Sequence, residues 1–186
     1  MALTPTKQIP LGFQAPDFYL QDIPIGKMMS FEDVKGEKGT LVMFICNHCP
    51  YVKHVIQELV LLGHDYITKG IGFVAINSND VENYPEDSPE KMKDFAKQHA
   101  FPFPYLFDET QEVAKAYDAV CTPDFDLFDA NGKCVYRGRL DGSRPGNDIP
   151  VTGSDMRKAL DQLLNGDTIP SEQQPSMGCN IKWKKA

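Results

Sequence analysis

The sequence predicts an α/β domain with a mixed central sheet flanked by helices, and three observations predict it. Two short apolar runs, residues 41–45 and 71–76, carry the pattern of strands buried on both faces. Each is followed by a segment that reads as helix. Near the end of the domain, two strand-like runs flank Asn131-Gly132, the dipeptide that favours a tight hairpin turn. Strands that alternate with helices and close in a hairpin place helices on both faces of one sheet.

Taken in order, residues 11–18 lead into a first short strand, with Gly12 and Pro16 as turn residues. After the turn at 36–39, the strand over 41–45 delivers Cys46 at its end. From Pro50 the apolar residues Val52, Val55, Ile56, Leu59, Val60 and Leu62 recur at helical steps, to Gly63 or slightly beyond. Proline suits the first turn of that helix. The strand at 71–76 runs into the polar Asn77-Ser78-Asn79-Asp80. Ser88 is the expected N-cap of a helix that has Pro89 in its first turn and extends to about Ala100. Residues 101–106 are expected to form an edge-type strand, because proline lacks the N–H that an interior ladder uses. A helix around 110–117 follows, then a hairpin of 125–128 and 135–140. Ser154 or Asp155 is the expected cap of a last helix ending near Gly166. Residues 167–186 show little periodicity and are expected to lie as a tail over the surface of the 1–166 domain. There is no internal repeat and no low-complexity stretch.

A chain of 186 residues with 41% hydrophobic residues fits one soluble domain with a proper core. Its net charge of −7 argues against a nucleic-acid partner, which calls for a basic face to neutralise phosphates. No stretch approaches the roughly 20 apolar residues of a bilayer span. Residues 1–10 lack the charged start and apolar run of a secretory signal. No membrane partner is therefore expected, and a cytoplasmic location is. Five cysteines in such a chain do not suggest a disulfide framework, since the cytosol keeps thiols reduced. Cysteines that pair here are expected to be catalytic or metal-binding.

The chemistry concentrates in Cys46-Asn47-His48-Cys49-Pro50. Cys49 stands immediately before a helix, where unpaired backbone amides and the helix dipole favour a thiolate. Cys46, three residues upstream, is either a resolving partner or a loop thiol that never pairs. His48 is either a local base or cation, or a solvated loop side chain. Haem attachment is excluded, because Pro50 holds the position that a haem motif gives to histidine. A structural zinc site needs four ligands; no second Cys or His pair follows, and His54 has nothing obvious to complete it, so no metal and no organic cofactor are expected. Cys121 is either a third redox thiol or a buried structural one. Cys134 alternates with apolar strand positions and is expected to be packed. Cys179, in the tail, either folds back as a resolving thiol or is exposed. Lys182, Lys184 and Lys185 around Trp183 read as a solvated basic end docked by the indole.

Three features in this order resemble the thioredoxin-like fold in its AhpC/TSA, peroxiredoxin-like version. They are Leu11-Gly12-Phe13-Gln14-Ala15-Pro16-Asp17-Phe18, the Cys46 to Pro50 segment at a strand-to-helix junction, and Thr122-Pro123 just before the hairpin. Residues 101–108 also resemble the peroxiredoxin stretch before its late helix. The resemblance covers about residues 11–165, and the ending Gly178-Cys179-Asn180-Ile181-Lys182-Trp183 resembles a mark of one peroxiredoxin-like subgroup. It implies a redox-active cysteine, antioxidant activity, and a cis bond at Pro123 beside the active cysteines. Two departures accompany it. The thioredoxin count of five residues beyond the strand phenylalanine runs from Phe44 to Cys49, which leaves Val52 at the usual second-cysteine position. The threonine that precedes a peroxidatic cysteine by three residues is replaced by Cys46. Peroxiredoxins also use an arginine to stabilise the thiolate, a role open to Arg137 or Arg139. His48-Cys49-Pro50 further resembles Sco-type copper proteins, although Lys53 stands where those have a second cysteine.

The leading expectation is a thiol-disulfide oxidoreductase in which Cys49 attacks a disulfide, with a thiol reductant or a disulfide-bearing protein as partner. An alternative in the same class is a thiol peroxidase, in which peroxide oxidises Cys49 to a sulfenic acid that condenses with Cys46, Cys121 or Cys179. A different class would be a copper or soft-metal binder using Cys46, Cys49 and a histidine. A non-catalytic thioredoxin-like interaction module is the remaining reading.

Overall fold

A computed structural model of the chain describes residues 3–185. In chain order its elements are β1 (Leu3–Pro5), β2 (Tyr19–Asp22), β3 (Lys27–Ser30), α1 (Phe31–Val34), β4 (Gly39–Phe44), α2 (Pro50–Tyr66), β5 (Ile71–Asn77), α3 (Pro89–Gln98), β6 (Tyr105–Phe107), α4 (Glu112–Ala116), β7 (Cys121–Thr122), β8 (Asp124–Asp129), β9 (Cys134–Tyr136), α5 (Ser154–Asn165) and β10 (Met177–Asn180). Seven strands form one mixed sheet in the order β3-β2-β6-β5-β4-β8-β9. The two apolar runs are its middle: β4 pairs in parallel with β5 and antiparallel with β8, and every residue of β4 is buried.

Because strand side chains alternate, β4 feeds two cores. Leu41 and Met43 meet Val52, Ile56 and Leu59 of α2 with Met156 and Leu160 of α5 on one face. Val42 and Phe44 meet Phe31, Val34, Val74, Ala114 and Tyr117 on the other. Between these layers the end of β4 is held rigidly, so the loop that follows is delivered to a fixed place. Among the described residues no helix is long and apolar enough to cross a membrane.

Four expectations are corrected. Residues 101–106 do not form an edge strand: β6 begins after Pro104 and lies inside the sheet between β2 and β5. Both prolines precede it, so no ladder position lacks its donor, and the Pro104 carbonyl accepts the N–H of Ala75. The cap of α5 is Gly153 at φ 64°, neither Ser154 nor Asp155, and the Asp141 carboxylate accepts the N–H groups of Thr152 and Gly153. The second hairpin arm is short, Cys134–Tyr136, and the next backbone N–H, that of Arg137, donates to the Gln173 side chain.

The fourth correction concerns the tail, which is no surface strap. It supplies β10, the centre of a small three-stranded sheet in the order β1-β10-β7. Gly178 makes that pairing possible, since a Cβ there would stand 1.9 Å from the Thr122 carbonyl oxygen. Lys182 is buried as well: its Nζ donates to the Asn180 carbonyl and amide oxygens and lies 5.6 Å from the Tyr84 ring centre. Sequence reasoning also missed the capping box at α1, where Ser30 and Asp33 satisfy each other's backbone N–H.

Candidate active site

Cys49 is the N-cap residue of α2, with Pro50 in the first turn, at the end of the loop that β4 delivers. Its pKa falls to about 5. The first cause is a hydrogen bond from the Cys46 thiol; a second comes from the Cys179 thiol, and the backbone N–H groups of Val52 and Cys179 add to it against the cost of burial. Only the protonated form donates to the Thr122 carbonyl, 3.4 Å away, so deprotonation exchanges one donated bond for several accepted ones. Burial, the bond to Cys49 and the Asp87 carboxylate hold the Cys46 thiol well above its ordinary value. Burial and Cys49 push Cys179 to about 12. One negative charge is thus shared among three thiols and resides on Cys49. Its sulfur has no solvent exposure in this state.

Behind the thiols lies a polar network that sequence reasoning missed. Asp87 is fully buried, and its carboxylate accepts the N–H groups of Asn47 (2.7 Å) and His48 (3.3 Å), the His48 imidazole Nδ1 (2.5 Å) and the Asn79 amide (2.8 Å). The Asn47 amide oxygen accepts from Tyr105 Oη at 2.9 Å, and Asn47 Nδ2 donates to Glu86 O. His48 stacks on Tyr84, and the Asp87 bond raises its pKa. The legible signal was the run of polar residues at 77–80 and 84–88 beyond the carboxyl end of β5, where open α/β sheets place their sites.

Cys46 Sγ, a His48 ring nitrogen and an Asp87 oxygen lie within 4.8 Å of one another. Asp87 brings a donor that the sequence did not offer for a metal. Its oxygens are already occupied by four hydrogen bonds, however, so the cluster reads as a hydrogen-bonded support for the loop. An open cleft of about 650 Å3 adjoins it, lined by Asn47, His48, Lys53, Ile56, Glu86 and Phe95.

The other candidates are distributed as follows. Thr122 spans the site: its Oγ1 lies 3.4 Å from Cys46 Sγ and its carbonyl faces Cys49. The Thr122–Pro123 bond is cis. Cys121, the neighbouring residue on β7, lies against Asp124 and the Pro123 carbonyl, and burial raises its pKa. Cys134 is buried in the second core. His54 Nε2 bonds Ser143 Oγ at 2.7 Å. The structure commits both arginines elsewhere, which corrects the role left open for them. Arg139 is paired with Asp155 at 2.6 Å, and Arg137 is buried against Asp126 at 2.6 Å. Stabilisation of the thiolate falls instead to thiols and backbone N–H groups.

A mixed sheet, a cysteine thiolate at the helix following the central strand, and a cis proline immediately before the neighbouring strand β8 define a thioredoxin-fold thiol protein. The AhpC/TSA family model matches residues 11–137, and the chain belongs to the AhpC/TSA family. Among solved structures it is similar to a conserved protein from Geobacillus kaustophilus, 60% identical at TM-score 0.98, covering 100% of this chain and 98% of that one. A hypothetical protein from Sinorhizobium meliloti 1021 is 43% identical at TM-score 0.96, covering 98% and 100%. The thiol-disulfide oxidoreductase ResA of Bacillus thuringiensis subsp. konkukian (strain 97-27) is 26% identical over 132 residues, 71% of each chain. A thioredoxin family thiol:disulfide interchange protein from Chlorobium tepidum TLS, 19% identical at TM-score 0.64 over 84% of this chain and 99% of that one, shares the fold.

Proposed function

We propose that the protein is a thiol-disulfide oxidoreductase whose nucleophile is Cys49. The observation that carries this reading is the Cys49 thiolate, held at the N-terminus of α2 by two neighbouring thiols. The thiolate attacks one sulfur of a disulfide, a mixed disulfide forms, and the other sulfur leaves and takes up a proton. A second cysteine of the chain then closes a disulfide with Cys49 and releases the substrate as a thiol. A thiol donor returns both cysteines to the reduced state. The ResA relative from Bacillus thuringiensis, matched over 71% of its length, bears the oxidoreductase name and supports this chemistry. The cleft beside His48 offers a surface for a disulfide-bearing protein, and the reducing cytosol is the proposed location.

A second reading, a thiol peroxidase with antioxidant activity, is favoured by one observation. Cys49 has no exposure, so a substrate sulfur reaches it only when the segments covering it part, whereas a peroxide needs a far smaller opening. Against it, Arg137 and Arg139 are both paired with other carboxylates. Stopped-flow mixing of the reduced protein with hydrogen peroxide, and separately with a protein disulfide, decides between them. Fast exchange with slow peroxide consumption is expected; the reverse order would establish the peroxidase, and inertness to both would overturn either reading.

A further inference from the structure

Two thiols flank Cys49, and the motif alone favours the one three residues upstream. We propose that Cys179, not Cys46, resolves the mixed disulfide on Cys49, so that the oxidised protein carries a Cys49–Cys179 disulfide. This rests on the reading of Cys49 as the nucleophile.

Placement comes first. Cys179 sits in the central strand of the small sheet, opposite Thr122 in the ladder, and the Thr122 carbonyl is 3.4 Å from Cys49 Sγ. The close approach at Gly178 fixes that strand against Thr122. Cys49 and Cys179 are packed in the same core cluster, and the thiol and backbone N–H of Cys179 are among the groups that lower the Cys49 pKa. Cys179 is therefore presented by a rigid element.

Electrostatics then separates the two thiols. In the reduced protein burial and, after it, the negative charge on Cys49 keep both neighbours protonated. Once Cys49 is bonded to substrate sulfur that charge is gone, and what remains around each thiol decides which one ionises. Cys179 retains the N–H of Tyr51, in the first turn of α2, and the Lys182 ammonium, both of which favour a thiolate. Cys46 retains the buried Asp87 carboxylate, which opposes one, with only the Thr122 hydroxyl in its favour. Cys46 is thus suited to donate to the Cys49 thiolate, and Cys179 to attack.

The step balances. The Cys179 sulfur attacks Cys49 Sγ, the Cys49–Cys179 bond forms as the bond to the substrate sulfur breaks, and the departing thiolate takes the proton that Cys179 gives up. Over both attacks two cysteine thiols become one disulfide, and one substrate disulfide becomes two thiols.

The test uses the full chain with 5,5′-dithiobis(2-nitrobenzoate) as the probe disulfide, followed by non-reducing tryptic mapping. Cys46 and Cys49 share the peptide 39–53, while Cys179 lies in 159–182, so the two outcomes differ by a cross-link. Cys46→Ser is expected to release two thionitrobenzoate ions per chain and to join these peptides. Cys179→Ser is expected to release one and to stop at the Cys49 adduct. Two ions from Cys179→Ser with a disulfide inside 39–53, or a stalled adduct in Cys46→Ser, would overturn the proposal. The unmodified protein gives the same answer without a variant: joined peptides support it, and a disulfide within 39–53 refutes it. In Cys179→Ser, finding Cys49 in neither an adduct nor a disulfide would instead sink the nucleophile assignment, and this inference with it.

Discussion

The His48 imidazole lies 2.5 Å from the carboxylate of Asp87, a fully buried acid 39 residues further along the chain that also accepts the Asn47 and His48 backbone N–H groups. One carboxylate therefore orients the loop between Cys46 and Cys49 from behind, and the same charge sets the protonation of the histidine beside the nucleophile. The sign of the pH effect follows. A raised histidine pKa contributes stability that is fully present below the roughly 6.5 of an unfolded histidine, and this is lost as pH rises through the higher folded value. Asp87→Asn keeps the shape and removes the charge. Titration of the His48 ring protons by NMR is expected to show its pKa falling in that variant, and an unchanged value would mean that Asp87 is not the cause.

The reactivity of Cys49 should be visible at acid pH. With a pKa of about 5 it is almost wholly thiolate at pH 7, against a few per cent for a free thiol near 8.5. The rate of iodoacetamide labelling at Cys49 is expected to rise through about pH 5 and to be flat above pH 7. A profile that climbs through pH 8 to 9 would refute the stabilised thiolate.

Cys46 supplies the first of the hydrogen bonds that lower that pKa. A hydrogen bond to a charged group is worth about 1.5–3 kcal/mol, which corresponds to roughly one to two pKa units. In Cys46→Ala the labelling midpoint of Cys49 is expected to move up by about that amount. Cys46→Ser, which keeps a donor, should retain most of the shift. Equal profiles for both variants and the parent would remove Cys46 from the site.

Arg137 is expected to matter for stability and not for reactivity. Its guanidinium is 1% exposed against a fully buried Asp126, and it also donates to the carbonyls of Lys7, Tyr117 and Asp118. Arg137→Met leaves Asp126 uncompensated, a loss on the order of 3–5 kcal/mol in denaturant unfolding. Cys49 labelling at pH 7 should be unchanged while the variant remains folded. A large fall in labelling would restore the arginine to the site.

The local pattern carried much of this molecule. The buried runs that became β4 and β5, the helix that begins at Pro50, and the Ser88 cap were legible because each depends on residues within a few positions of one another. Cys49 at a helix N-terminus was legible for the same reason. What the sequence could not decide were relations between distant segments. Residues 101–106 read as an edge strand because proline lacks the N–H that an interior ladder uses, and only packing shows that β6 starts after both prolines. Asp87 is one acid among many until the fold closes the loop after β5 against the loop after β4. Residues 167–186 have no period because β10 is only four residues long, and its burial comes from pairing with β1 and β7, both distant from it in the chain. That pairing brings Cys179 to Cys49, 130 positions apart in the chain. Whether a given thiol near Cys49 stays protonated is decided by the charges, donors and burial that the tertiary structure collects around it.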